Sequence, residues 1–136
     1  MRVYIATTLE NAEAHKALAQ ALAPYEVWVT YDWATHGSAK DGGPIRIREV
    51  ALCETQGVLD ADLVVVLLPG GLGTHTEMGM ALAAGKPVVL VADPKHPDFM
   101  APGKHFPCFY LHPLVRILPP SSAEEIAALV GGLESR

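Results

Sequence analysis

The unbroken apolar run at residues 63–68, Leu-Val-Val-Val-Leu-Leu, constrains the fold of this chain more than any other feature. Three consecutive valines favour a strand, and neighbouring strand residues point to opposite faces, so the run implies a strand buried on both faces. Such strands are typical of parallel sheets covered by helices. The run is far shorter than the roughly 20 apolar residues of a membrane-spanning helix, so we expect no membrane association.

Four other short apolar segments alternate with segments of helical periodicity. Strands are predicted at residues 2–6, 26–31, 88–91 and 115–118, helices at 10–23, 44–59 and 74–84, and a last helix after a capping box formed by Ser122 and Glu125. This alternation predicts a three-layer α/β fold, flavodoxin-like or Rossmann-like, with a parallel five-stranded sheet of order 2-1-3-4-5. With 136 residues, half of them hydrophobic, we expect one domain over residues 1–136.

The bulk chemistry of the chain argues against several classes of partner. The net charge is −5 with scattered acids, so no basic face is available for a nucleic acid polymer. Cys53 and Cys108 match neither a metal-ligand spacing nor a disulfide framework, and no leader segment is recognised, so a cytoplasmic location is expected. The six histidines form no i, i+4 pair. We therefore expect no metal site, and no cofactor is implied.

The segment at residues 69–77, Pro-Gly-Gly-Leu-Gly-Thr-His-Thr-Glu, follows the buried strand and opens a helix. Ligands of such sheets bind at the carboxyl ends of the strands, where the strand order reverses, so this segment and Thr7 at the end of the first strand should share a crevice. The predicted ligand contacts in the segment are Gly70, Gly71, Gly73 and Thr74, whose backbone can approach an oxygen-rich ligand. The alternative is that the glycines serve only a tight turn.

Two glutamates are the candidate catalytic residues. Glu77 lies near a helix N-terminus, which should favour the ionised carboxylate that a glycosyl-transfer nucleophile needs, but Thr74 and Glu77 also have capping-box spacing. Glu54 falls on the predicted inward face of the second helix, where burial would keep it protonated as a general acid, unless it reaches solvent at the rim. The inward face is predicted to contain Ile47, Val50, Ala51 and Val58.

Further candidates lie on the first strand and after the second strand. Trp33 can stack on a nucleobase and Asp32 can accept a hydrogen bond from it, although tryptophan is more often a core residue and Asp32 can also cap the loop. Tyr4 is either a packing residue of the first strand or a substrate contact. His36 and His75 are candidates by position only.

The sequence from Gly73 to Ala81, GTHTEMGMA, followed by Ala-Gly-Lys-Pro at residues 84–87, resembles the nucleoside 2-deoxyribosyltransferase family. Residues 4–6, Tyr-Ile-Ala, and 61–62, Ala-Asp, also fit, so the resemblance spans residues 2–92. It implies that Glu77 attacks the anomeric carbon to give a covalent deoxyribosyl intermediate while an upstream acid assists the base. Glu54 is the best match for that acid, although the family usually has aspartate there.

The resemblance implies a small-molecule nucleoside or nucleotide as the ligand. Transferases of this family pass the sugar to another base, whereas the related 2'-deoxynucleoside 5'-monophosphate N-hydrolases pass it to water. The family also implies a homodimer or a higher homo-oligomer, in which the loop at residues 93–113 could help close a neighbouring site.

Two alternatives remain open at the level of sequence. Residues 69–77 also resemble the PGGxGTxxE motif of phosphoribohydrolases that release cytokinin bases from riboside monophosphates, for which Arg46 and Arg48 are the nearby candidates for a catalytic arginine. The Met-Gly-Met-Ala segment at residues 78–81 fits the deoxyribosyltransferase pattern better. The other alternative is a non-catalytic nucleotide-binding or sensing module in which Glu77 only caps its helix.

Overall fold

A computed structural model describes residues 1–103 and 105–134 and contains a parallel sheet of order β2-β1-β3-β4-β5 with helices on both faces. The predicted fold class and strand order are thus confirmed. The strands are β1 (Arg2–Ala6), β2 (Trp28–Val29), β3 (Leu63–Leu67), β4 (Val88–Val91) and β5 (Val115–Leu118), and the helices are α1 (Ala12–Leu22), α2 (Gly43–Asp60), α3 (Leu72–Ala83) and α4 (Ala123–Glu134).

Alternation along the central strands separates two cores. Val3, Ile5 and Val65 face the side covered by α1 and α4, where they pack with Leu18 and Val130. Tyr4, Ala6, Val64 and Val66 face the other side, where they belong to one cluster with Trp33, Val58, Met78 and Tyr110. Tyr4 is the polar residue that β1 contributes to this second core, so its hydroxyl needs a hydrogen-bond partner there.

Strand β2 is shorter than the predicted strand at residues 26–31. Glu26 has a left-handed backbone (φ 57°) and its N–H bonds the carbonyl of Ala23, so the chain is still completing a turn where the strand was expected to begin. Beyond Val29 the chain keeps one sheet-like bond, from the N–H of Thr30 to the carbonyl of Val3 at 2.8 Å, and then leaves the sheet. This departure places residues 32–42 above the carboxyl ends of the strands.

The inward face of α2 differs in part from the prediction. Val50 and Val58 are buried as expected, but Ile47 and Ala51 are exposed, and Gly57 is buried in their place. Residues 50, 54, 57 and 58 share one helical face, so Glu54 still points inward and is half-buried. The prediction was wrong in part because it assigned only apolar residues to the inward face of α2 and left out Gly57.

The ends of two helices test the predicted capping boxes. In α4 the backbone N–H of Ser122 donates to Glu125 and the backbone N–H of Glu125 donates to the Ser122 hydroxyl, both at 3.1 Å, which confirms the box. Helix α3 begins at Leu72 rather than at residue 74.

The predicted loop at residues 93–113 is irregular apart from a short 3-10 turn at Cys108–Leu111, with Lys104 outside the described residues.

Candidate active site

A cavity of about 410 Å³ opens at the carboxyl ends of β1 and β3, beside the first turns of α3. Glu54 and Glu77 both line it, with Gly71 on one wall and Trp33 on another. The strand order reverses between β1 and β3, which is where parallel α/β sheets bind ligands. Three larger cavities, of about 470, 550 and 1030 Å³, are lined by neither carboxylate, so the smaller cavity is the candidate active site.

The carboxylate of Glu77 is buried and accepts a short hydrogen bond from the hydroxyl of Tyr4. It does not form a capping box with Thr74. Instead, the hydroxyl of Thr74 accepts the backbone N–H of Gly71 at 3.2 Å, because α3 starts at Leu72 and Thr74 is already its third residue. The capping explanation of Glu77 is therefore wrong, and its side chain is free to face the cavity.

Glu54 and Glu77 form an interacting pair of carboxyl groups. Burial raises the pKa of Glu77 to about 8; the hydrogen bond from Tyr4 lowers it, and the charge and hydrogen bonding of Glu54 raise it again. Burial also raises the pKa of Glu54, against the lowering effects of its hydrogen bond with Glu77 and of His36. The pair therefore retains a proton at neutral pH. The expectation that the helix N-terminus keeps Glu77 ionised is wrong, since burial has the larger effect on its pKa.

Tyr4 holds this pair from below the cavity. It is fully buried and does not line the cavity, so its position is that of a support for Glu77 rather than a ligand contact. Burial and the neighbouring Glu77 carboxyl raise the pKa of Tyr4, which keeps its hydroxyl protonated and able to donate.

Gly57 explains how α2 comes close enough for Glu54 to meet Glu77. A Cβ atom at Gly57 would lie 2.9 Å from Cβ of Tyr31 and 3.0 Å from Cδ2 of Tyr4, so only glycine allows this approach. The carbonyl of Gly57 also accepts the hydroxyl of Thr30 at 2.6 Å. Glu54 lies one turn before Gly57 on the same face, so the close contact fixes its distance from the sheet.

Thr7 and Trp33 line the cavity and are both tied to the sheet. The hydroxyl of Thr7 donates to the carbonyl of Leu67 at 2.7 Å, and the side-chain amide of Asn11 donates to the Thr7 hydroxyl at 2.9 Å. The indole N–H of Trp33 donates to the carbonyl of Ile5 at 2.9 Å, and the ring is 6% exposed. Trp33 is therefore at once a core residue and part of the cavity wall.

The other predicted ligand contacts divide into two groups. Gly71, Gly73 and Thr74 line the cavity with the carboxylates. Gly70 lines the 1030 Å³ cavity on the other side of the glycine loop. Asp32 lines neither, and its Oδ1 lies 3.7 Å from Nδ1 of the buried His15.

Two cavity residues, His36 and Lys40, carry proton-transfer capacity or positive charge that the sequence did not single out by chemistry. Nε2 of His36 is 2.8 Å from the hydroxyl of Tyr31, and Nδ1 is 2.8 Å from the carbonyl of Gly37, to which it must donate. Lys40 is the only lysine or arginine among the described residues of the cavity wall. It is the only lysine in the long loop after β2, which is the one signal that could have drawn attention to it.

Arg46 and Arg48, the candidates for a catalytic arginine, do not line this cavity. Arg46 instead faces Glu49, with Nη1 3.5 Å from Oε2, in an exposed pair on α2. Among residues 1–103 and 105–134, no three histidine, cysteine, aspartate or glutamate side chains come together in a metal-binding group. The helices within those ranges are also too short or too polar to cross a membrane.

Comparison with known proteins gives similarity in structure but not in sequence. No family model matches the chain, and no curated protein matches its sequence. The fold is similar to that of a solved CMP N-glycosidase from Clostridium botulinum, with a TM-score of 0.64, 18% identity, and 98% of this chain and 99% of that chain covered. This similarity supports the fold over its full length.

Proposed function

We propose that this protein is an N-glycosidase or glycosyltransferase that acts on a nucleoside or a nucleoside 5'-monophosphate, with Glu77 as nucleophile. The observation that carries the proposal is the interacting carboxyl pair of half-buried Glu54 and buried Glu77 in a cavity at the strand-order reversal, with Tyr4 donating to Glu77. The match in fold to a CMP N-glycosidase and the resemblance of residues 73–87 to the deoxyribosyltransferases support the same chemistry.

A pair of carboxyl groups that retains one proton provides the carboxylate nucleophile and the carboxylic acid that a retaining glycosidase requires. Substrate binding moves the proton to Glu54, and the hydroxyl of Tyr4 favours the ionised form of Glu77. The Glu77 carboxylate then forms a bond to the anomeric carbon as the bond from that carbon to the base nitrogen breaks. Glu54 gives its proton to the departing base, leaving a glycosyl ester on Glu77 and a carboxylate on Glu54.

The second half of the reaction regenerates the pair. The Glu54 carboxylate takes a proton from water, and the water oxygen attacks the anomeric carbon of the ester. The free sugar leaves, Glu77 is again a carboxylate and Glu54 again carries the proton. In a transferase the nitrogen of a second base takes the place of water, and Glu54 accepts the proton from that nitrogen.

Base release by the purified protein tests the proposal. Nucleosides and their 5'-monophosphates, CMP included, are incubated with wild type, Glu77→Gln and Glu13→Gln, and free base is separated by chromatography. Glu13 is an exposed glutamate of α1 that pairs with Lys16, so its variant is the matched control. We expect release by wild type and the control and at least a ~10³-fold loss in Glu77→Gln. Release that persists in Glu77→Gln, or none from any substrate, contradicts the proposal.

Neither alternative function gains support from the site. The phosphoribohydrolase interpretation needs a catalytic arginine, but Arg46 and Arg48 lie outside the cavity wall. The binding-module interpretation relies on Glu77 as a helix cap, but Gly71 is capped by the hydroxyl of Thr74. Nucleotide binding detected by thermal shift, without release of base in the chromatographic assay, would favour the binding module.

We also propose that the protein forms a homodimer or a higher homo-oligomer. Ile45 and Leu52 of α2 and Leu72 at the start of α3 are 73%, 66% and 92% exposed, and contact with a second copy of the chain would remove these apolar side chains from water. Light scattering after size-exclusion chromatography tests this, and a mass of about 14.5 kDa at all concentrations contradicts it.

A further inference from the structure

Both ring nitrogens of His75 have partners. Nδ1 lies 2.7 Å from the carbonyl oxygen of Gly71, and Nε2 lies 2.7 Å from the hydroxyl oxygen of Tyr110. A carbonyl can only accept, so Nδ1 must carry the hydrogen, and Nε2 of the neutral ring then accepts from Tyr110. Burial raises the pKa of Tyr110, which keeps its hydroxyl protonated and able to donate. The two bonds therefore fix the tautomer and the orientation of the ring.

One end of this arrangement holds the glycine loop. The carbonyl of Gly71 accepts both the backbone N–H of His75, at 3.1 Å, and its ring N–H. The ring also packs against Gly70, where an added Cβ would lie 2.9 Å from its Cε1 atom. Gly71 lines the candidate active site on the side of Glu77, so His75 restrains the part of the loop that a ligand would touch.

The other end is anchored in an aromatic cluster. Tyr110 is 5% exposed, and its ring centroid lies 5.1 Å from that of Phe99 and 6.3 Å from that of Phe106. The ring of His75 stacks on Tyr110 with centroids 5.8 Å apart. The buried ring of Tyr110 and the partly buried rings of Phe99 and Phe106 hold the Tyr110 hydroxyl at a fixed point beside α3, so these residues before β5 support the glycine loop.

We propose that His75 and Tyr110 are positioning residues that hold the carbonyl of Gly71, and with it the glycine loop, in its substrate-binding arrangement. This inference rests on the proposed N-glycosidic activity. Neither residue is assigned a bond to the reacting atoms. Loss of the restraint weakens ground-state binding more than the chemical step, so it raises KM and leaves kcat nearly unchanged.

Matched substitutions separate the two bonds of the ring. In His75→Asn the amide nitrogen replaces Nδ1 and keeps the bond to Gly71, whereas in His75→Gln the amide reaches toward Tyr110 and the Gly71 bond is lost. Tyr110→Phe removes only the outer bond. We expect KM to rise in the order wild type, then Tyr110→Phe and His75→Asn, then His75→Gln, with roughly threefold to tenfold for the last, as one lost hydrogen bond predicts. Tyr25→Phe, in the short turn that follows α1, is the matched control.

The outcome of this series is independent of the test of Glu77. The expected KM order with constant kcat supports the proposal, and any other order, including equal KM values in proteins of lowered stability, overturns it. The resting geometry is also tested without substrate, by ¹⁵N NMR of the imidazole of His75. The Nδ1–H tautomer is expected, and the Nε2–H tautomer overturns the inference even if Glu77→Gln has abolished base release.

Discussion

Replacing Glu77 by glutamine should stabilise the protein at alkaline pH. The folded protein raises the pKa of Glu77 to about 8 from the ordinary value of 4.5, so it binds this proton more tightly than the unfolded chain does. The stability that this provides is fully present below pH 4.5 and is lost as the pH rises through 8. Glutamine is always neutral, and its carbonyl can still accept the hydroxyl of Tyr4, so the variant loses nothing over this range.

The size of the effect follows from the same pKa values. The difference between about 8 and 4.5 is about 3.5 pH units, which at about 1.36 kcal/mol per unit gives an upper limit of about 5 kcal/mol. Since Glu54 shares the repulsion and the proton, we expect a gain of a few kcal/mol at pH 9 and little at pH 5.

Urea unfolding at pH 5, 7 and 9, followed by tryptophan fluorescence, measures this gain as a shift of the midpoint at constant slope. Glu125→Gln is a control of opposite sign, since its hydrogen bonds with Ser122 lower the pKa of Glu125 in the folded protein. That variant should gain nothing at pH 9. A Glu77→Gln variant that is no more stable than wild type at pH 9, or whose gain does not grow with pH, would refute the burial argument.

Three further substitutions test the surroundings of the carboxyl pair. Tyr4→Phe removes the hydrogen bond that lowers the pKa of Glu77, so the acid limb of the pH profile of kcat/KM should move to higher pH by about 1 to 2 units. An acid limb at unchanged pH contradicts this. Glu54→Gln removes a charge that raises the pKa of Glu77, so the acid limb of the kcat/KM profile should move to lower pH, while kcat falls about 10²- to 10⁴-fold. Gly57→Ala places a Cβ 3.0 Å from Tyr4, so unfolding by urea should show a loss of about 1–3 kcal/mol, together with lower kcat.

The layers and the strand order could be predicted from the sequence because they depend on local hydrophobic patterns. The valine run of β3 and the capping box of α4 each lie within a few neighbouring residues. The hydrogen bond between Tyr4 and Glu77 joins residues 73 positions apart, and no local pattern encodes it. Periodicity places Tyr4 on β1 but does not indicate which side chain accepts its hydrogen bond.

The sequence-based predictions differ from the structure where backbone geometry or burial overrides the local side-chain pattern. Helix α3 begins earlier than expected because the cap residue is Gly71, which has no side chain to signal it. Strand β2 is cut short by the left-handed turn at Glu26, a residue type with no preference for that conformation. The protonation of Glu77 differs from the prediction because a helix N-terminus is visible in sequence, whereas burial by distant elements is not.

The segment after β2 contributes to the wall of the candidate site without containing the two candidate catalytic glutamates. Residues 36–40 form part of the cavity wall but contain neither Glu54 nor Glu77, which belong to α2 and α3. At its start, the segment is fixed to the sheet by the bond from Trp33 to Ile5. Grafting a different sequence between His36 and Asp41, so that His36 and its lowering effect on the pKa of Glu54 are kept, should therefore change which ligands are admitted while the acid pair, and the pH range set by it, stay as they are.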